Sequence, residues 1–66
     1  MANNKTSRTP VCVYWDPDVG VYRIYLADWS PSMRGHVATT YLGSADPDML
    51  AKVMARFGYV RVGCVA

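Results

Sequence analysis

Residues 11–26 form the stretch VCVYWDPDVGVYRIYL, which contains the clearest hairpin signal in the chain. Both of its ends are rich in β-branched and aromatic residues, which favour β-strands. The middle, from Asp16 to Gly20, contains a proline that presets a turn and a glycine that accepts a left-handed φ. The stretch therefore predicts a β-hairpin whose loop is Pro17 to Gly20.

The hydrophobic pattern predicts the register of this hairpin. If Asp16 pairs with Val21, the apolar partners all share one face, whereas a shift by one residue would place Arg23 among them. We therefore predict that Trp15 is buried on an apolar face covered by the helix. That face would contain Val11, Val13, Trp15, Tyr22, Ile24 and Leu26, and the opposite face Cys12, Tyr14, Arg23 and Tyr25.

Residues 36–42 follow a polar loop and predict a third strand, which ends at Gly43. Its two faces, Val37/Thr39/Tyr41 and His36/Ala38/Thr40/Leu42, are similar in polarity. The pattern therefore does not show which of them points inward.

A helix and a fourth strand complete the chain. We predict Asp46 as the N-cap, Pro47 at the first helical position and Gly58 as the stop signal. The apolar stripe of the helix consists of Met49, Leu50, Val53, Met54 and Phe57. The fourth strand, Tyr59 to Val65, is predicted to place Val60, Val62 and Cys64 beneath the helix.

These elements predict an α+β fold: a single domain over residues 10–66, with an antiparallel four-stranded sheet in the order strand-strand-strand-helix-strand. One helix covers one face of the sheet. Residues 1–9, which include Lys5 and Arg8, are polar and predict a flexible leader. No stretch has the apolar length of a signal peptide core or of a membrane span, so we expect a cytoplasmic protein.

Size and composition argue against an enzyme. The chain has 66 residues, 52% of them hydrophobic, which indicates a folded domain but leaves little room for a deep pocket. The formal charge of +2 is too small for a dedicated binder of duplex DNA. We therefore expect no catalytic residues, no cofactor and no metal.

Three sets of residues in the sequence could carry chemistry. Cys12 and Cys64 form no CxxC pair, so in a reducing cytosol we expect two thiols, with a disulfide across the domain as the alternative. His36, the single histidine, is expected on a strand surface rather than in a Cys–His pair. Asp16-x-Asp18-x-Gly20 partly matches a calcium loop, but positions five and twelve hold Gly20 and Ala27, so a turn is expected.

The sheet face opposite the helix is the candidate site. It is predicted to mix aromatic and cationic side chains, which are enriched at interface hot spots and also suit stacked bases and phosphates. Three interpretations remain open: a protein partner, a nucleic acid, or an exposed sheet face stabilised by cross-strand pairs. The predicted partner-binding residues are Tyr14, Arg23, Tyr25, Tyr59 and Arg61.

In size and layout the whole chain resembles the small inhibitors of bacterial defence encoded by phages and mobile elements, the anti-CRISPR proteins among them. The resemblance implies a non-enzymatic protein that docks on a larger defence complex in the host cytoplasm. Several such inhibitors are acidic and mimic DNA, whereas this chain is mildly basic. The resemblance therefore favours docking on a protein subunit.

Two other families are similar in layout. Three strands followed by a helix, from Val11 to Phe57, look like the arm-site DNA-binding domain of tyrosine recombinases, although the fourth strand departs from that pattern. The run from Tyr14 to the helix is similar to HicB-type antitoxins, without their proline-glycine segment. These likenesses imply a nucleic-acid-binding sheet module or an antitoxin as the alternative functions.

Overall fold

The computed structural model describes residues 8–65, which form one four-stranded sheet and one helix. In chain order the elements are β1 (Thr9–Asp16), β2 (Val21–Ser30), β3 (Gly35–Ala45), α1 (Leu50–Phe57) and β4 (Tyr59–Arg61). The strand order across the sheet is β3-β2-β1-β4. The α+β class is confirmed, and β1 begins at Thr9, within the predicted leader; the rest of that leader, apart from Arg8, lies outside the described residues.

The sheet is mixed, so the predicted antiparallel sheet is wrong for one pair of strands. β1, β2 and β3 are joined by antiparallel pairing, but β4 lies parallel to β1. The reason is the connection: β3 runs in the direction of β1, α1 returns over the sheet, and β4 therefore starts at the same end as β1.

The register of the β1–β2 hairpin is confirmed. Asp16 pairs with Val21, and Trp15 pairs with Tyr22. In the loop the Gly20 N–H donates to the Asp16 carbonyl at 2.9 Å, and Gly20 has a φ of 71°. The Asp18 N–H donates to Asp16 Oδ1 at 3.0 Å, a local bond that favours the turn.

The core lies between α1 and one face of the sheet, but the predicted burial of Trp15 is wrong. Trp15 is 48% exposed and packs on Tyr22 with ring centroids 4.9 Å apart. An eight-residue helix is about 12 Å long, whereas an eight-residue strand spans about 26 Å, so α1 does not reach the loop end of β1. The buried core residues are Val11, Val13, Ile24 and Ala45, and against them pack Tyr22, Leu50, Val53, Met54 and Tyr59.

The helix starts later than predicted. The Met49 N–H donates to the Asp46 carbonyl at 2.9 Å, which closes a turn before the helix, and Met49 is the N-cap without a side-chain bond. Pro47 fits this turn as well as it fits a first helical turn, because both use the same φ. The stop at Gly58 is confirmed, with a φ of 69°. Phe57 is 58% exposed, so the predicted stripe covers the core only in part.

Two bulges in β3 explain why its inward face could not be predicted. Ile24 pairs with Gly43 but Tyr25 pairs with Tyr41, so Leu42 is an extra residue. Leu26 then pairs with Thr40 and Ala27 with Ala38, so Thr39 is a second extra residue. Each bulge changes which face the following residues occupy, and neither alternating set stays on one side of the sheet.

The C-terminal segment, residues 62–65, leaves β4 and crosses the sheet face opposite α1. The Val62 N–H donates to the Val11 carbonyl at 3.0 Å, and the Val65 N–H donates to the His36 carbonyl at 2.9 Å. Cys64 forms a disulfide with the fully buried Cys12, with a Cα–Cα distance of 6.0 Å. The expectation of two free thiols is therefore wrong, and the alternative, a disulfide across the domain, is what the structure contains.

The faces of the fourth strand are the reverse of those predicted. Thr9 pairs with Tyr59 and Val11 with Arg61, and neighbours in a parallel pair point to the same side. Tyr59 and Arg61 therefore leave the sheet on the side of α1, and Cys64 lies on the other side with Cys12. This reversal brings the two cysteines together.

Candidate interaction face

Four side chains form a cluster on the sheet face opposite α1. Tyr14 on β1, Arg23 and Tyr25 on β2 and Tyr41 on β3 are called the tyrosine face below. The β1–β2 register places Tyr14 beside Arg23, and the bulge at Leu42 places Tyr41 beside Tyr25. The cluster therefore spans three adjacent strands.

The three tyrosine rings hold one another in place. The Tyr14 and Tyr25 centroids are 5.8 Å apart with an interplanar angle of 67°, and those of Tyr25 and Tyr41 are 5.3 Å apart at 59°. Aromatic pairs prefer such tilted or edge-to-face arrangements. Tyr14 is 38% and Tyr41 49% exposed, so an ordered aromatic surface faces solvent.

Arg23 is held at the centre of the cluster by two partners. Its Nε donates to Asp16 Oδ2 at 3.1 Å in a salt bridge, and its Nη1 donates to the Tyr41 hydroxyl at 3.1 Å. The guanidinium also lies over the Tyr41 ring, 5.9 Å from the centroid. The positive charge of the face is therefore balanced by Asp16.

The same contacts change the acidity of Tyr41. Hydrogen bonds from the Arg23 guanidinium and from the Ser44 side chain hold the pKa of the Tyr41 hydroxyl below its ordinary value. The bonds to Tyr41 and Asp16 in turn raise the pKa of Arg23, which stays protonated. The Tyr41 oxygen therefore accepts the Arg23 hydrogen bond that helps to order the face.

A shallow groove of about 370 Å³ lies along this face. It extends from the β1–β2 turn to the start of β3, because Pro17 lines one end and Ala38 the other. Three of its seven lining residues are aromatic. The lining residues are Tyr14, Trp15, Asp16, Pro17, Arg23, Tyr25 and Ala38.

The structure brings together three of the five predicted site residues. Tyr14, Arg23 and Tyr25 share the tyrosine face, but Tyr59 and Arg61 lie on the side of α1. Tyr59 packs on the core and stacks on Phe57 with centroids 5.5 Å apart. Arg61 Nη2 donates to the Val13 carbonyl at 3.4 Å. Val13 lies on β1 just past Val11, the last residue of β1 that pairs with β4.

Sequence analysis missed Tyr41 and Asp16. Tyr41 belongs to one of the two alternating sets predicted for the third strand. Its pairing with Tyr25 depends on the bulge at Leu42, and no proline or charged residue at that point of the sequence indicates a bulge. Asp16 was assigned to the turn, where its Oδ1 accepts the Asp18 N–H. Its second oxygen accepts from Arg23, which adds it to the site.

The other candidate residues take part in local contacts. The His36 ring packs edge-on against Trp29 at 5.3 Å, and its carbonyl accepts the Val65 N–H. Within residues 8–65, no group of three or more His, Cys, Asp or Glu side chains is placed to hold a metal ion. No helix in this part of the chain is long and apolar enough to cross a membrane.

Comparison with protein-family models, with curated proteins and with solved structures found no match.

Proposed function

We propose that this chain is a non-enzymatic binding protein whose tyrosine face docks on a protein partner. The observation that carries the proposal is the ordered row of Tyr14, Tyr25 and Tyr41 with Arg23 fixed among them. Tyrosine and arginine are enriched at interface hot spots. Because these side chains are already held in position, binding would cost little conformational entropy.

The charge balance of the face favours protein over nucleic acid. Phosphate binding depends on cations that can replace counterions, but Arg23 is already paired with Asp16. Arg61, the second predicted cation, points to the side of α1. Nucleic acid remains the second candidate, since exposed tyrosine rings can stack on bases.

The described residues also support a function without catalysis. Cys12 and Cys64 are bonded to each other, so neither is available as a thiolate nucleophile. His36 packs on Trp29. Within residues 8–65, no hydrogen bond or ion pair joins its ring to a carboxylate that could orient it. A binding role needs neither group.

The resemblance to defence inhibitors suggests a subunit of a bacterial defence complex as the partner. That location is a reducing cytosol, whereas disulfides persist in oxidising compartments. Alkylation of free thiols at the moment of lysis distinguishes a cytoplasmic location from an exported one. A cytoplasmic inhibitor would carry two alkylated cysteines, and an exported protein would carry none.

Capture from a bacterial lysate tests the proposed function. We expect a stoichiometric protein partner that remains bound after nuclease treatment and at raised salt. Recovery of nucleic acid alone, with an affinity that falls steeply as salt rises, would support the second candidate instead.

A further inference from the structure

The groove on the tyrosine face has the dimensions of a short extended peptide. It spans the sheet from the Asp16–Val21 pair to the Ala27–Ala38 pair. Six residue steps along β2 correspond to about 20 Å. A polyproline II segment rises about 3.1 Å per residue, so about six of its residues would fill this length.

The chemistry of the groove favours an uncharged ligand with flat apolar rings. The charges of Arg23 and Asp16 neutralise each other, so the groove offers no unpaired charge for a ligand to meet. Three of the groove's lining residues, Tyr14, Trp15 and Tyr25, are aromatic. Such aromatic walls suit flat apolar rings.

Taking the protein partner of the proposed function as given, we infer that the groove binds a proline-rich segment of that partner in the polyproline II conformation. Such segments are extended and have no internal hydrogen bonds, and their pyrrolidine rings pack between aromatic side chains. Their fixed φ also lowers the entropy lost on binding.

Two other modes of peptide recognition fit the structure less well. A helix is about 10 Å wide with its side chains and needs a deep apolar groove, whereas this one is shallow. Addition of a strand would need a regular free edge. The outer edge of β3 is interrupted by the bulges at Thr39 and Leu42, and the segment at His36 already binds residues 62–65.

Titration of the full chain with a synthetic oligoproline peptide tests this inference. Backbone NMR shifts should change at Tyr14, Tyr25 and Ala38, and a glycine-serine peptide of equal length should cause no change. Tyr25→Ala should weaken oligoproline binding at least about tenfold. Phe57→Ala is the matched control, because Phe57 is an exposed aromatic on the opposite side of the sheet.

The outcomes separate this inference from the proposed function. If the folded chain does not bind oligoproline, or if Tyr25→Ala and Phe57→Ala weaken binding equally, the inference is wrong. A captured partner that binds through the tyrosine face and is not displaced by oligoproline would overturn the inference and leave the proposed function standing. Displacement of that partner by oligoproline supports both.

Discussion

At the scale of single residues, Trp15 shows which structural features can be predicted from sequence and which cannot. Its partner Tyr22 was predicted correctly, because the alternation of apolar side chains determines which residues face each other. Its burial was predicted wrongly, because burial depends on where the helix ends in space. Register depends only on the two paired strands, whereas the burial of a residue beneath the helix depends on how the whole domain packs.

The exposure of Trp15 leads to a prediction about stability. Trp15→Ala should lower the free energy of unfolding by about 1–2 kcal/mol, less than the 3–5 typical of a buried aromatic. Ile24→Ala, at a residue that is 2% exposed, should cost about 2–5 kcal/mol. Urea denaturation measures both. A larger loss for Trp15→Ala than for Ile24→Ala would contradict this packing.

Tyr41 provides a prediction about pH. Its ring Cζ shift, followed by NMR, should titrate below the ordinary tyrosine pKa of about 10, because Arg23 and Ser44 favour the phenolate. Since the pKa is lowered in the folded state, the stabilising effect is complete above the unfolded pKa. It is lost as the pH falls through the lowered pKa of Tyr41.

Removal of the main donor checks the cause of this shift. Arg23→Met should return the pKa of Tyr41 toward its ordinary value, whereas Arg61→Met should leave it unchanged, because Arg61 lies on the other side of the sheet. If Tyr41 titrates identically in both variants, the Arg23–Tyr41 bond does not hold in solution.

At the scale of elements, β3 was the least predictable from sequence. Its existence followed from the pattern of residues 36–42, but its face did not, because the bulges at Thr39 and Leu42 depend on how it meets β2. The bulges also have a structural consequence. Charged residues often protect an edge strand from pairing with another chain, but β3 carries no Asp, Glu, Lys or Arg. Its bulges interrupt the exposed edge instead.

The end of α1 is the element feature best predicted by sequence. Gly58→Ala should lower the free energy of unfolding by about 1 kcal/mol or more, because Gly58 has a φ of 69° that a Cβ disfavours. Gly63→Ala is the matched control: an added Cβ there would meet nothing within 4 Å. Thermal unfolding of both variants measures the difference. Equal midpoints would indicate that the helix does not end in this conformation.

At the scale of the whole molecule, the disulfide was the feature that sequence left as the minor alternative. Two cysteines that are 52 residues apart give no spacing motif, and only the path of residues 62–65 across the sheet brings them together. The parallel pairing of β4 was missed for a related reason. Both features depend on the direction in which the chain returns after α1.

Reduction of the disulfide should destabilise the domain strongly. A cross-link of this loop length contributes about 4 kcal/mol in the chain-entropy account. The total stability of a chain of this size is about 3–10 kcal/mol. A reductant should therefore lower the thermal midpoint by many degrees, and it should not change the midpoint of the Cys12→Ala/Cys64→Ala double variant. An unchanged midpoint with fully reduced cysteines would contradict this account.

The tyrosine face is the proposed working surface of the molecule. Sequence alone predicts that both Tyr25→Ala and Arg61→Glu abolish partner binding, whereas the structure separates the two residues onto opposite faces. The most direct test is the dissociation constant of the captured partner for each variant, with the thermal midpoint recorded alongside. We predict that Tyr25→Ala weakens binding by about 2 kcal/mol or more, that Arg61→Glu binds as the parent chain does, and that both remain folded. A folded Tyr25→Ala that binds normally, together with a folded Arg61→Glu that does not bind, would contradict the claim.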